Sequence, residues 1–214
     1  MEKDKFKQKI LDEIKELVRS KELIPQKDWD LICVLSAFEN DFENDSKDKW
    51  KRNENKDRLC TAFEIARKVV AVRIGKKIED IRIQDMAAFS PQVLYVGTDV
   101  QNDNLRNVAD DFLGQRNFPK QKLIISENLG IKNTGDQIKE ISNNFSGNER
   151  RIVVVSNAYH LPRISRYLQG HPDKFNLKKI ILYPSNSKKA PPKKVIEEIK
   201  KIQKYIKGGI LPPE

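Results

Sequence analysis

Five short apolar runs constrain this chain more than any other feature: Leu31–Leu35, Val93–Val96, Leu123–Ile125, Ile152–Val155 and Ile180–Leu182. Runs this short, with no polar alternation, suit strands buried on both faces. Helical patterns fall between them. Asp57–Ile74 carries Leu59, Phe63, Ala66, Val69 and Val70 on one face, Asn104–Gly114 carries Leu105, Val108, Ala109 and Phe112, and Thr134–Phe145 and Pro162–Leu168 follow the third and fourth runs. Strand and helix in this rhythm predict an α/β fold with a mainly parallel sheet of about five strands and helices on both faces. Amphipathic patterns over residues 4–19 and 193–207 flank the core, Gly208-Gly209 stopping the second, and the whole reads as one domain over 1–214 with its core at 30–183.

Each run is followed by small or polar residues: Ser36, then Gly97-Thr98-Asp99, Ser126-Glu127, Ser156-Asn157 and Ser185-Asn186. If the strands are parallel, these ends share one edge of the sheet, where α/β proteins bind ligands. The fourth unit is the richest. Ile152–Val155 runs into Ser156, Asn157, Tyr159 and His160, and Pro162 and Arg163 then open a helix. A histidine among hydroxyl, amide and guanidinium groups suits acid–base work, and an arginine in a first helical turn suits a phosphate or carboxylate. Arg58 stands in a like position on the helix after the first strand, and Glu127 is a further candidate for hydroxyl binding or a base. Thr134 with Gln137 has the spacing of a capping box, which competes with ligand contact as its role.

Several classes find no support. There is no Gly-x-Gly-x-x-Gly after the first strand, no P-loop and no Gly-x-Ser-x-Gly nucleophile. His160 and His171 lack metal-ligand pairing, and Cys33 and Cys60 are neither a disulfide framework nor a zinc site. No signal-peptide pattern opens the chain and no stretch of ~18 apolar residues occurs, so a cytoplasmic protein without a membrane span is expected. The net charge of +10 asks for an anionic partner. Its lysines are interleaved with acids on many helices, which reads as a solvated surface more than as a nucleic-acid face. The polar stretch 39–56 reads as a mobile loop or lid, and 75–91 as an insertion with a short helix or hairpin.

The run Val154-Val155-Ser156-Asn157-Ala158-Tyr159-His160-Leu161-Pro162-Arg163 closely resembles the signature of the YdcF-like (SanA- and ElyC-like) family of domains of unknown function. Asp30–Leu35 resembles its opening strand, Arg58 with Ala62 its Arg-x-x-x-Ala helix start, and Glu127 with Asn133-Thr134 its Glu and Asn-Thr pieces. The resemblance covers about residues 30–183. Ser36-Ala37-Phe38 and Val96-Gly97-Thr98 stand where the family carries glycine-rich strand ends, and Asp136-Gln137 replaces its Glu-Asn.

The resemblance implies a Rossmann-like three-layer sandwich with its polar signatures around one cleft. S-adenosylmethionine is among the ligands that it implies, and envelope or lipid-carrier metabolism among the roles. The expected activity is binding, with chemistry, of a nucleotide-like or phosphorylated small molecule. His160 is its catalytic candidate, and Ser36, Arg58, Thr98, Glu127, Asn133, Thr134, Ser156, Tyr159 and Arg163 are its ligand-binding candidates. A non-catalytic ligand sensor with the same pocket and, less well supported, a basic nucleic-acid-associated protein are the alternatives.

Overall fold

The computed structural model describes residues 2–20, 28–37, 54–145, 151–185 and 192–212. Five parallel strands, β1 (Leu31–Leu35), β2 (Gln92–Val96), β3 (Leu123–Ile125), β4 (Ile152–Ser156) and β5 (Ile180–Pro184), lie in the order β3-β2-β1-β4-β5. Leu31 pairs with Gln92 on one side and Ile152 on the other, so β1 is central. All five of its residues are buried, which is why its sequence shows no polar alternation.

Seven α-helices accompany the strands among the described residues: α1 (Glu2–Arg19), α2 (Glu54–Ile74), α3 (Ile83–Phe89), α4 (Asp99–Gln115), α5 (Thr134–Phe145), α6 (Leu161–Gln169) and α7 (Pro192–Lys207). Ile32, Val34, Val93, Tyr95, Val153 and Val155 face a core formed with Leu59, Ala66 and Val70 of α2, Met86 of α3 and Leu105 and Phe112 of α4. Leu31, Cys33, Leu35, Leu94, Val96, Ile152 and Val154 face Ile138 and Ile141 of α5 and Ile164 and Leu168 of α6. The result is a Rossmann-like three-layer sandwich. The strand order reverses between β1 and β4, and right-handed crossovers then send α2 and α4 to one face and α5 and α6 to the other.

Outside α6 lies a smaller apolar cluster, in which Ile10 of α1 meets Ile199 and Ile202 of α7 and Leu211 beyond it. Arg166 of α6 donates from both terminal nitrogens to Glu13 of α1, each at 2.9 Å. This bidentate pair fixes α1 against α6. Among the described residues no helix is long and apolar enough to cross a membrane.

Local chemistry departs from the sequence reading at three points. α4 begins five residues earlier than its apolar spacing suggests, because Thr98 and Gln101 form a capping box. It ends at Gln115, one residue past Gly114, and is closed not by that glycine but by Asn117, whose φ of 49° lets Asn117 N–H reach Gly114 O and Phe118 N–H reach Leu113 O. At α5 the cap is Asn133, whose Oδ1 accepts from Asp136 N at 3.1 Å while Asp136 Oδ2 accepts from Asn133 Nδ2 at 2.8 Å. Thr134 and Gln137 therefore form no capping box, and Gln137 turns to the sheet instead. The segment 75–91 holds a 3-10 turn at Ile78–Asp80 and the short helix α3, with no hairpin. Gly208-Gly209 does end α7, Gly209 taking a φ of 67°. The expected lid over 39–56 lies outside the described residues except at its last three positions, which begin α2.

Candidate functional site

A cavity of about 290 Å³ opens at the carboxyl edge of the sheet. Its floor is built from the ends of β1 and β2. Gln137 of α5 donates from Nε2 to Val96 O at 2.7 Å and to Ser36 Oγ at 2.9 Å. Ser36 Oγ donates in turn to Gln101 Oε1, which also accepts from Thr98 N at 2.8 Å. A buried chain of amide, hydroxyl and amide thus ties α5, β1 and α4 together. Gly97, just above it, has no room for a side chain: a Cβ there would come within 2.8 Å of Asn102 Oδ1.

The first turns of three helices border the cavity, through Thr98 of α4, Asn133 and Thr134 of α5, and His160 and Arg163 of α6. Their backbone N–H groups favour an anion. The facing wall is α7, which contributes Lys194, Glu197, Glu198, Lys201 and Tyr205. With Lys132 and Arg163, four cations among the described residues line the cavity against two carboxylates.

Arg163 sits at the junction of these walls. Its NH2 lies 2.9 Å from His160 Nε2 and its Nε lies 2.7 Å from Glu198 Oε1, an ion-pair distance without a well-aligned hydrogen bond. A guanidinium only donates, so His160 Nε2 accepts and the ring proton resides on Nδ1. Burial, reinforced by Arg163, Arg58, Lys201 and Lys194, holds the imidazole well below its usual range and neutral. Burial also pushes the Glu198 carboxyl up, against the opposing pull of Arg163 and the neighbouring lysines.

Behind this layer is a second polar network. Arg58, with 0% exposure, donates to Leu35 O, to Asn157 Oδ1 at 3.1 Å and to Glu54 Oε1 at 3.0 Å. Tyr159 donates to the same Glu54 oxygen at 2.8 Å, and Ser185 Oγ donates to Asn157 Oδ1 at 2.8 Å. Burial and the Glu54 charge raise the Tyr159 hydroxyl above the usual phenol range. The network joins the ends of β1, β4 and β5 to the start of α2.

Of the residues expected at a site, Ser36, Thr98, Asn133, Thr134, Tyr159, His160 and Arg163 line the cavity together. Arg58 does not line it: its guanidinium is committed to the carbonyl, amide and carboxylate behind. Ser156 is fully buried in β4, its Oγ without a partner among the described residues. Glu127 is exposed and outside the cavity, whereas its neighbour Ser126 is buried and donates to Glu140 Oε1 at 2.8 Å.

Gln101, Gln137 and the whole α7 wall escaped the sequence reading. Signals for them existed. Thr98 and Gln101 have capping-box spacing, and Lys194, Glu198, Lys201 and Tyr205 recur at helical steps beside the apolar stripe of Val195, Ile199 and Ile202. No family model matches the chain, and no curated protein or solved structure matches it.

Proposed function

We propose that the protein is a YdcF-like α/β domain whose cavity binds a small anionic molecule, phosphorylated or nucleotide-like, and acts on it. The observation that carries this reading is electrostatic. Among the described residues, three helix starts and four cationic side chains surround the cavity with two carboxylates, Glu198 paired with Arg163 and Glu197 with Lys194, which leaves an excess of two positive charges. Partly desolvated, such a site gains more from a dianion than exposed lysines would.

In this reading Arg163 exchanges its Glu198 partner for the ligand's anionic group. The exchange also frees His160 Nε2 to accept a proton from a ligand hydroxyl, its Nδ1–H staying in place. The second reading, a ligand sensor without chemistry, draws on the same contact: His160 Nε2 is already occupied by Arg163, and its basicity is low.

A thermal-shift screen of inorganic phosphate, sugar phosphates, nucleotides, prenyl phosphates and S-adenosylmethionine tests the binding, because a specific ligand stabilises in proportion to its concentration over its Kd. Stabilisation by phosphorylated compounds that Arg163→Met weakens at least tenfold in Kd is the expected result. A flat screen, or shifts indifferent to Arg163→Met, would remove the proposal. Turnover lost in His160→Gln with binding retained separates the enzyme from the sensor.

A further inference from the structure

The two amides on the cavity floor are both oriented by backbone groups, and this fixes what they offer a ligand. Thr98 N–H holds the Gln101 oxygen, so the Gln101 NH2 is the remaining half. Val96 O holds the Gln137 NH2, so the Gln137 oxygen is the remaining half. Gln101 is 4% exposed and Gln137 is 5% exposed, both line the cavity, and neither remaining half has a partner among the described residues. Thr134 carries a hydroxyl on the same side, with no partner for it among the described residues. These three residues therefore present a donor, an acceptor and a hydroxyl in the cavity that Lys132 and the cations of α6 and α7 also line.

We propose, resting on the anion-binding reading above, that the ligand is a small polyol phosphate of the sugar-phosphate class. Its phosphate lies at Arg163 and Lys201, and its hydroxyls lie on Gln101, Gln137 and Thr134. Hydroxyls both donate and accept, so adjacent ones satisfy a fixed NH2 and a fixed C=O without further adjustment. Leaving those halves unmatched would cost a ligand that lacks them, since buried polar groups discriminate strongly against a partner that cannot pair. A nucleobase fits less well. About 290 Å³ stands at the low end of ligand cavities, ~300–1,000 Å³. The aromatic liners among the described residues are Tyr159 and Tyr205, and the Tyr159 ring is already set against His160 at 5.0 Å between centroids. Among the described residues no pair of flat apolar faces stands ready to sandwich a base.

Isothermal titration of the full chain with inorganic phosphate, ribose, ribose 5-phosphate and adenosine 5′-monophosphate tests the assignment. Ribose 5-phosphate should bind at least tenfold tighter than inorganic phosphate and than the nucleotide, and ribose alone weakly. Thr134→Val removes a hydroxyl without altering charge and should cut the preference for ribose 5-phosphate over phosphate at least fivefold, while Lys201→Met should weaken the two equally. A nucleotide that binds as tightly as ribose 5-phosphate, or a sugar phosphate no tighter than phosphate, overturns the polyol assignment and leaves the anion site standing. No binding of any phosphate compound, with Lys201→Met without effect, overturns both.

Discussion

Arg163 NH2 lies 2.9 Å from Nε2 of His160 in the first turn of α6, which makes the histidine a neutral acceptor at the centre of a cationic cavity. Its pKa is held well below the ordinary histidine value of 6.5, chiefly by burial and then by Arg163. As pH falls below about 6.5 the unfolded chain takes up this proton before the native state does, so stability is lost toward acid. The slope contributed is at most ~1.4 kcal/mol per pH unit. Glu198, with its pKa raised by burial, acts with the opposite sign: its stabilisation is complete below its unfolded value of 4.5 and is lost as pH rises through its folded one. Urea denaturation at pH 7, 6 and 5 should therefore show a shallower acid loss in His160→Gln, which keeps an acceptor for Arg163, than in the parent. Equal slopes would contradict the neutral assignment.

Glu198 and Arg163 form a buried pair at 2.7 Å. Glu198→Ala strands a guanidinium with no carboxylate beside it and should destabilise by ~3 kcal/mol, the usual consequence of removing one partner of a buried pair. Inorganic phosphate at millimolar concentration should restore more stability to this variant than it adds to the parent, read as the shift in urea midpoint. A variant as stable as the parent would show that the pair contributes nothing.

Gly97 sits where a Cβ would lie 2.8 Å from Asn102 Oδ1 and 2.9 Å from Gln101 Cβ. Asn102 cannot simply move, because it accepts from Gly97 N and donates to Gly97 O and Ser126 O. Gly97→Ala should cost ~1–3 kcal/mol, as overpacking does, and lower ligand affinity through the displaced Gln101. A thermal midpoint within a degree of the parent would count against this packing.

Tyr159 and Glu127 make a contrasting pair. Tyr159→Phe removes the donor to Glu54 Oε1 inside a fully buried network and should cost ~1–3 kcal/mol. Glu127→Ala removes an exposed charge outside the cavity and should stay within about 0.5 kcal/mol, with ligand binding unchanged. Chemical denaturation of the two variants side by side checks both magnitudes.

Much of this architecture was legible from one dimension. The five apolar runs coincide with the five strands to within two residues at either end, because strands buried on both faces need unbroken apolar stretches whatever their neighbours are. His160 and Arg163 stood out because the chemistry of a strand end followed by a proline-primed helix is local. Capping was less readable. Asn133-Thr134-Gly135-Asp136-Gln137 offers two overlapping boxes, and only the pull of Val96 O and Ser36 on Gln137 decides for Asn133 and Asp136.

By itself, then, the sequence determined the strands, the helices between them, the edge at which their polar ends gather and the His160–Arg163 corner, since all of these follow from short-range periodicity and turn chemistry. Only the tertiary structure decided which polar groups turn inward to bind and which turn inward to brace. Arg58 and Arg163 read alike in the sequence, yet Arg58, the fifth residue of α2, is buried against Leu35 O, Asn157 and Glu54 while Arg163, the third of α6, faces the cavity. The same holds for α7, whose Glu198 meets Arg163 from 35 positions along the chain, and for the two floor amides. A side chain's partners at such separations depend on the packing of whole layers, which no local pattern encodes.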